Sequence, residues 1–184
     1  MKYSPFPFVA LLLCGCAGTV PREASLPLVA VLPFENIGGG AEGARTVTRI
    51  CQSILTEEKG IHLADPGEVE EVLVRFRIRV PVLMTETQRD SLRATLKCDF
   101  ALTGSVLSFG DLNHPYAGKV GIVSLTMQVL DLGSGRVVWA RTESRQGSDG
   151  QWLFGLGVQR DPALMANDMC RDLLGKIKWW RLGG

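Results

Sequence analysis

Histidine is nearly absent from this chain: only His62 and His114 occur in 184 residues. Neither has a second ligand at a useful spacing, which argues against a zinc-type centre and for surface or loop positions. No Gly-x-Ser-x-Gly elbow is present. The glycine run Gly38-Gly39-Gly40-Ala41-Glu42-Gly43 lies between a strand and a helix pattern, as phosphate loops do. It lacks the Gly-Lys-Ser/Thr ending and reads as a turn. Glu68, Glu70 and Glu71 form a solvated helix face rather than an acid–base pair. An excess of charge is also missing. Without the first fifteen residues, basic and acidic side chains balance, which leaves no footprint for nucleic acid or an anionic surface. No catalytic, metal-binding or cofactor-binding residue is expected.

Long apolar runs are scarce too. The one near the start, Phe6 to Leu13, falls far short of the ~20 residues a spanning helix needs. Lys2 precedes it, and Gly15 follows as a small residue before a cysteine. This order is that of a secretory signal. Leu13-Cys14-Gly15-Cys16 resembles the bacterial lipobox, Leu-x-Gly-Cys. The resemblance implies cleavage after residue 15 and a covalent lipid, such as palmitate, on Cys16. The alternative is an ordinary signal, with the mature chain starting near Ala17. Position 17 is not Asp, which by the same resemblance implies sorting to the outer membrane, with the domain facing the periplasm.

Residues 16–27 read as a lipidated tether, broken by Gly18, Pro21 and Pro27. Fully extended, residues 17–27 reach at most ~36–40 Å, so the domain stays close to the membrane. Residues 28–184 read as one domain of α+β class, in the order β-α-β-α-α-β-β-β-α. Leu28 to Phe34 is a short, β-branched apolar run with the character of a buried strand. Residues 41–58 carry apolar residues at helical spacing. Ile61 to Ala64 is a short strand. Asp65-Pro66-Gly67-Glu68 combines a cap, a first-turn proline and capping-box spacing. That helix is expected to reach about Arg77 and to give way to an extended linker through Pro81. Thr85 and Gln88 open a third helix, to Lys97. The period then changes to two. Strands are expected over 99–110, 119–131 and 136–144, joined as an antiparallel meander in a mixed sheet covered by helices. Asp161-Pro162 starts the last helix, with Met165, Met169, Leu173 and Ile177 on one face.

Cys51, Cys98 and Cys170 cannot all pair. Cys51 and Cys170 fall on apolar helix faces, where buried free thiols compete with a Cys51–Cys170 bridge. Trp152 and Phe154 lie in a glycine-rich loop, either packed within it or offered to a partner. Trp179 and Trp180, flanked by Lys178 and Arg181, suit either a membrane interface or a C-terminal pack against the sheet.

Three segments in order, Val29-Ala-Val-Leu-Pro-Phe34, Asp99-Phe-Ala-Leu-Thr-Gly-Ser-Val106 and Asp131-Leu-Gly-Ser-Gly-Arg-Val-Val-Trp-Ala140, resemble the CsgG/LpoB-like lipoproteins, which share a fold with the N-terminal domain of TolB. Leu96-Lys97-Cys98-Asp99 departs from the family's more usual Leu-Gly-Ala-Asp. The resemblance implies a non-enzymatic envelope module with protein partners, including further copies of itself. Two narrower roles come with it: a component of an oligomeric outer-membrane secretion channel, or an activator of a peptidoglycan synthase. Residues 111–121 are too polar and too short for a membrane hairpin, which weighs against a pore. The short tether weighs against a reach across the periplasm. The lipid-anchor reading predicts that cells fed labelled palmitate mark the wild-type chain and that Cys16→Ser loses the label. A Cys16→Ser variant labelled like the wild type would contradict it.

Overall fold

The computed structural model describes residues 27–38, 40–58, 61–116, 118–149 and 157–182. Leu28–Val31 (β1) lies inside a sheet and is covered on both faces. Val29 and Val31 point into one apolar core, whereas Ala30 and Leu32 point into a second. A strand covered twice has no polar side, which is why this segment reads as a continuous apolar run.

The sheet order is β3-β1-β4-β5-β6, with β3 at His62–Leu63, β4 at Phe100–His114, β5 at Gly118–Asp131 and β6 at Val137–Gln146. β1 runs parallel to β3 and β4, and β4, β5 and β6 form the antiparallel meander. Glu35–Asn36 (β2) adds a short parallel pairing to Ser105 and Val106.

Gly40–Ser53 (α1) and Pro162–Gly175 (α4) cover one face of the sheet. Val47, Cys51 and Leu55 meet Met165, Met169 and Leu173 over Leu102, Leu125 and Met127. Pro66–Arg75 (α2) and Glu86–Leu96 (α3) cover the other face, chiefly over β1 and the start of β4. Beyond Ala101, β4 contributes nothing to that second core.

The helix starts follow from their caps. Asp65 accepts from the backbone N–H groups of Gly67 (2.8 Å) and Glu68 (3.1 Å), ahead of Pro66 in the first turn. Thr85 and Gln88 form the reciprocal capping box. Asp161 accepts from the Ala163 N–H at 2.8 Å.

Four local expectations change. Helix α1 gives way to a π-turn over Ile54–Glu58, which still turns Ile54 and Leu55 into the core. After α2 the chain is not an extended linker. Arg77 adopts a left-handed conformation (φ 55°), Ile78 returns to the core, and Pro81–Leu83 form a 3₁₀ turn. The segment after Phe34 contains β2 before the glycines. Finally, β4 and β5 continue through residues 111–121 to a tight turn, so this polar stretch is the tip of a long hairpin. Among the described residues no helix is long and apolar enough to cross a membrane.

Gly104 is required by packing. A Cβ there would lie 2.0 Å from the Thr126 carbonyl oxygen and 2.7 Å from the Phe34 ring. Gly104→Ala is expected to destabilise the domain by about 1–3 kcal/mol through overpacking, read as a lower urea midpoint. An unchanged midpoint would contradict this packing.

Candidate interaction surface

The meander ends on an open edge. β6 is ten residues long and pairs with β5, and its outer side meets no strand among the described residues. The opposite edge of the sheet, β3, is only two residues long. A β-strand edge carries unpaired N–H and C=O groups and is a template for a further strand. β6 has no proline, and Val137 and Val138 are 50% and 43% exposed.

The two faces of β6 have different chemistry. Trp139 packs against the core under α4. Further along, Glu143 and Arg145 form an ion pair with each other, and both reach α4. Arg145 Nη2 donates to Asp172 Oδ2 at 2.6 Å, and Lys176 Nζ lies 3.5 Å from Glu143 Oε2. Burial works against the Arg145 charge, but the hydrogen bonds to Asp172 and Glu143 outweigh it, so its pKa is raised. The hydrogen bond from Arg145 holds the Asp172 carboxyl below the usual carboxylate range. The network fixes β6 against α4 and leaves the strand's outer edge unpaired among the described residues. The other face is polar: the Thr126 and Thr142 hydroxyls meet at 2.9 Å, with Ser124 and Gln128 half-buried beside them.

A separate crevice of about 300 Å³ opens past the end of β1, between α1 and α2. Its floor is Val31, Phe34 and Val69, and Arg49 stands at its rim. The Thr48 hydroxyl there accepts the Phe34 N–H (3.0 Å) and donates to the Ala44 carbonyl (2.9 Å). Both roles of that oxygen are occupied, and the lining supplies no other hydroxyl, thiol or imidazole.

Of the expected contact residues, Cys16, Trp152 and Phe154 lie outside the described residues, as does the Trp180 side chain. Trp179 takes the second of its two expected places: its side chain is 4% exposed and packs inward, into the core under α1 and α4. The 3₁₀ turn Trp179–Arg181 directs it there. His62 is exposed on β3, and His114 is half-buried at the end of β4. Among the described residues no group of three or more His, Cys, Asp or Glu could hold a metal ion. Cys51, Cys98 and Cys170 are all buried as free thiols, and burial pushes Cys98 up to about 11. The expectation of the meander stopped short of its edge and of the ion network. Its sequence signal is the spacing Glu143-x-Arg145 on a strand, matched by Asp172 and Lys176 one helical turn apart.

The fold defined here, a mixed sheet with helices on both faces and a long antiparallel meander, is similar to that of solved bacterial proteins, one of them a lipoprotein. The lipoprotein GNA1162 from Neisseria meningitidis is similar with a TM-score of 0.57 and 16% identity, over 82% of this chain and 99% of that one. PelC from Paraburkholderia phytofirmans, a dodecamer, is similar with a TM-score of 0.53 and 17% identity, over 80% of this chain and 84% of that one. At such identities the likeness concerns the fold alone. The LpoB C-terminal domain from Salmonella enterica aligns at 0.48, with 16% identity over 65% of this chain and 82% of that one, too loosely to bear on function. No family model and no curated protein matches the chain, and a likeness to CsgG is not shown.

The depressed pKa of Asp172 has a definite sign. Its folded value lies below the unfolded one, so its contribution is present above the ordinary carboxylate pKa, ~3.9, and is lost as pH falls through the folded value. Asp172→Asn is expected to cost at most about 1 kcal/mol at pH 7, since the pair is partly exposed. The difference from wild type should shrink toward zero as pH falls through the folded value. Urea titrations at neutral and acid pH check this, and a difference that grows on acidification would contradict it.

Proposed function

We propose that this chain is a non-enzymatic lipoprotein of the bacterial envelope. It is anchored in the outer membrane through lipid on Cys16, and its domain faces the periplasm. It works by docking an envelope protein against the β6 edge. The observation that carries the reading is the edge itself: ten residues, unpaired on the outside, held rigid by α4 and bearing two exposed valines. Strand addition to such an edge draws its affinity from main-chain hydrogen bonds. The tether of residues 17–27 keeps the partner near the membrane.

A further copy of this chain is the partner favoured by one specific comparison. PelC, similar in fold, is a dodecamer. Because β3 is two residues long, sheet edges alone cannot join copies head to tail through β6 and β3. A ring would need another surface besides β6, whereas two β6 edges can meet about a two-fold axis. The channel and synthase-activator roles implied by the family resemblance are narrower versions of this reading. The polar hairpin tip speaks against the first and the short tether against the second.

The test is Val138→Lys, which places a charge beside the edge without touching the core. In cells, chemical crosslinking of the wild type is expected to yield a discrete adduct, with itself or with another protein. Val138→Lys should lose that adduct while its melting temperature stays within about 2 °C of wild type, as for an exposed substitution. An adduct that survives the substitution unchanged would remove β6 as the docking edge.

A further inference from the structure

Cys51 sits on the inner face of α1 and Cys170 on the inner face of α4. Both are 0% exposed and belong to the same core cluster, where the two helices pack against one another. The Cys170 thiol is near enough to raise the Cys51 pKa. Cys98, the remaining cysteine among the described residues, lies in the second core on the opposite face of the sheet. The sheet separates it from the other two. Among the three cysteines of the described residues there is therefore one pairing and no competing one.

We infer that Cys51 and Cys170 are a disulfide site, closed during folding and joining α4 to α1 through the core. The oxidant is a disulfide, carried by a small molecule or by a protein. One cysteine thiolate attacks the oxidant's S–S bond, forming a mixed disulfide and releasing one thiolate. The second cysteine thiolate then attacks the mixed disulfide and releases the other. One S–S bond is broken and one is made. Two electrons pass to the oxidant, and the two cysteine protons end on the two thiols it becomes.

The timing follows from burial. In the folded domain the neighbouring Cys170 side chain and burial both push the Cys51 thiol well above its usual range. Thiolate is the reactive form, and no oxidant reaches a fully buried sulfur. Exchange therefore occurs before α4 closes over α1. Once α4 has docked, the bridge is shielded from reductants as well. An oxidising compartment supplies the oxidant, and this part alone rests on the envelope reading above.

The experiment separates the two. The full-length chain is reduced and unfolded, then refolded in a buffer of oxidised and reduced glutathione. Free thiols are alkylated, and the digest is mapped by mass. The expected result is one crosslinked peptide pair containing Cys51 and Cys170, with Cys98 alkylated. The refolded form should melt about 10 °C above its reduced counterpart, from the long loop the bridge closes. Cys51 and Cys170 both alkylated, or either one paired with Cys98, Cys14 or Cys16, would overturn the inference. The same mapping on protein taken from cells without reductant should show the same pair. A bridge formed in the buffer but missing from cells would leave the site standing and overturn the envelope reading instead.

Discussion

The structure depends on covering one short strand twice. Val29 and Val31 go into one core while Ala30 and Leu32 go into the other. Each fully buried Val or Leu contributes roughly 1.5–3 kcal/mol relative to exposure, and no surface ion pair here approaches that. Helices must therefore lie on both faces of β1. α1 and α4 extend along the meander and cover one face of β4, β5 and β6. α2 and α3 cover little beyond β1, β3 and the start of β4. The far half of the sheet is consequently covered once. Among the described residues its uncovered face is polar and its last strand has an open edge. The candidate docking surface is thus a consequence of where the second pair of helices ends.

Electrostatics plays a smaller, directional part at that edge. The Arg145, Glu143, Asp172 and Lys176 network is half-exposed and worth little as stability. Its effect is to draw the core-side charges of β6 back onto α4. Without it, Arg145 and Glu143 would be free to swing outward and blunt the edge in the way edge charges commonly do.

Much of this was legible from residue order. Period-two alternation located the meander. The caps Asp65, Thr85 and Asp161 located three helix starts, because each acts locally. Pairings between distant segments were not legible. β2 is two residues long, has no periodic signature, and exists only because Ser105 and Val106 lie beside it. Trp179 and Trp180 between basic residues have interfacial composition. The 3₁₀ turn takes Trp179 inward, a choice between its two expected places that composition cannot make. Apolar helical spacing placed Cys51 and Cys170 on helix faces, but only the α1–α4 packing puts both thiols in one core.

The docking edge is the central claim, and site-specific photocrosslinking in cells tests it most directly. A photoreactive side chain at Val137, on β6, is compared with one at Val74, which is exposed on α2 on the far side of the molecule's core. The account predicts a discrete adduct from position 137 and none from position 74. Adducts from 74 alone, or none from 137, would contradict it and move the partner to a different face.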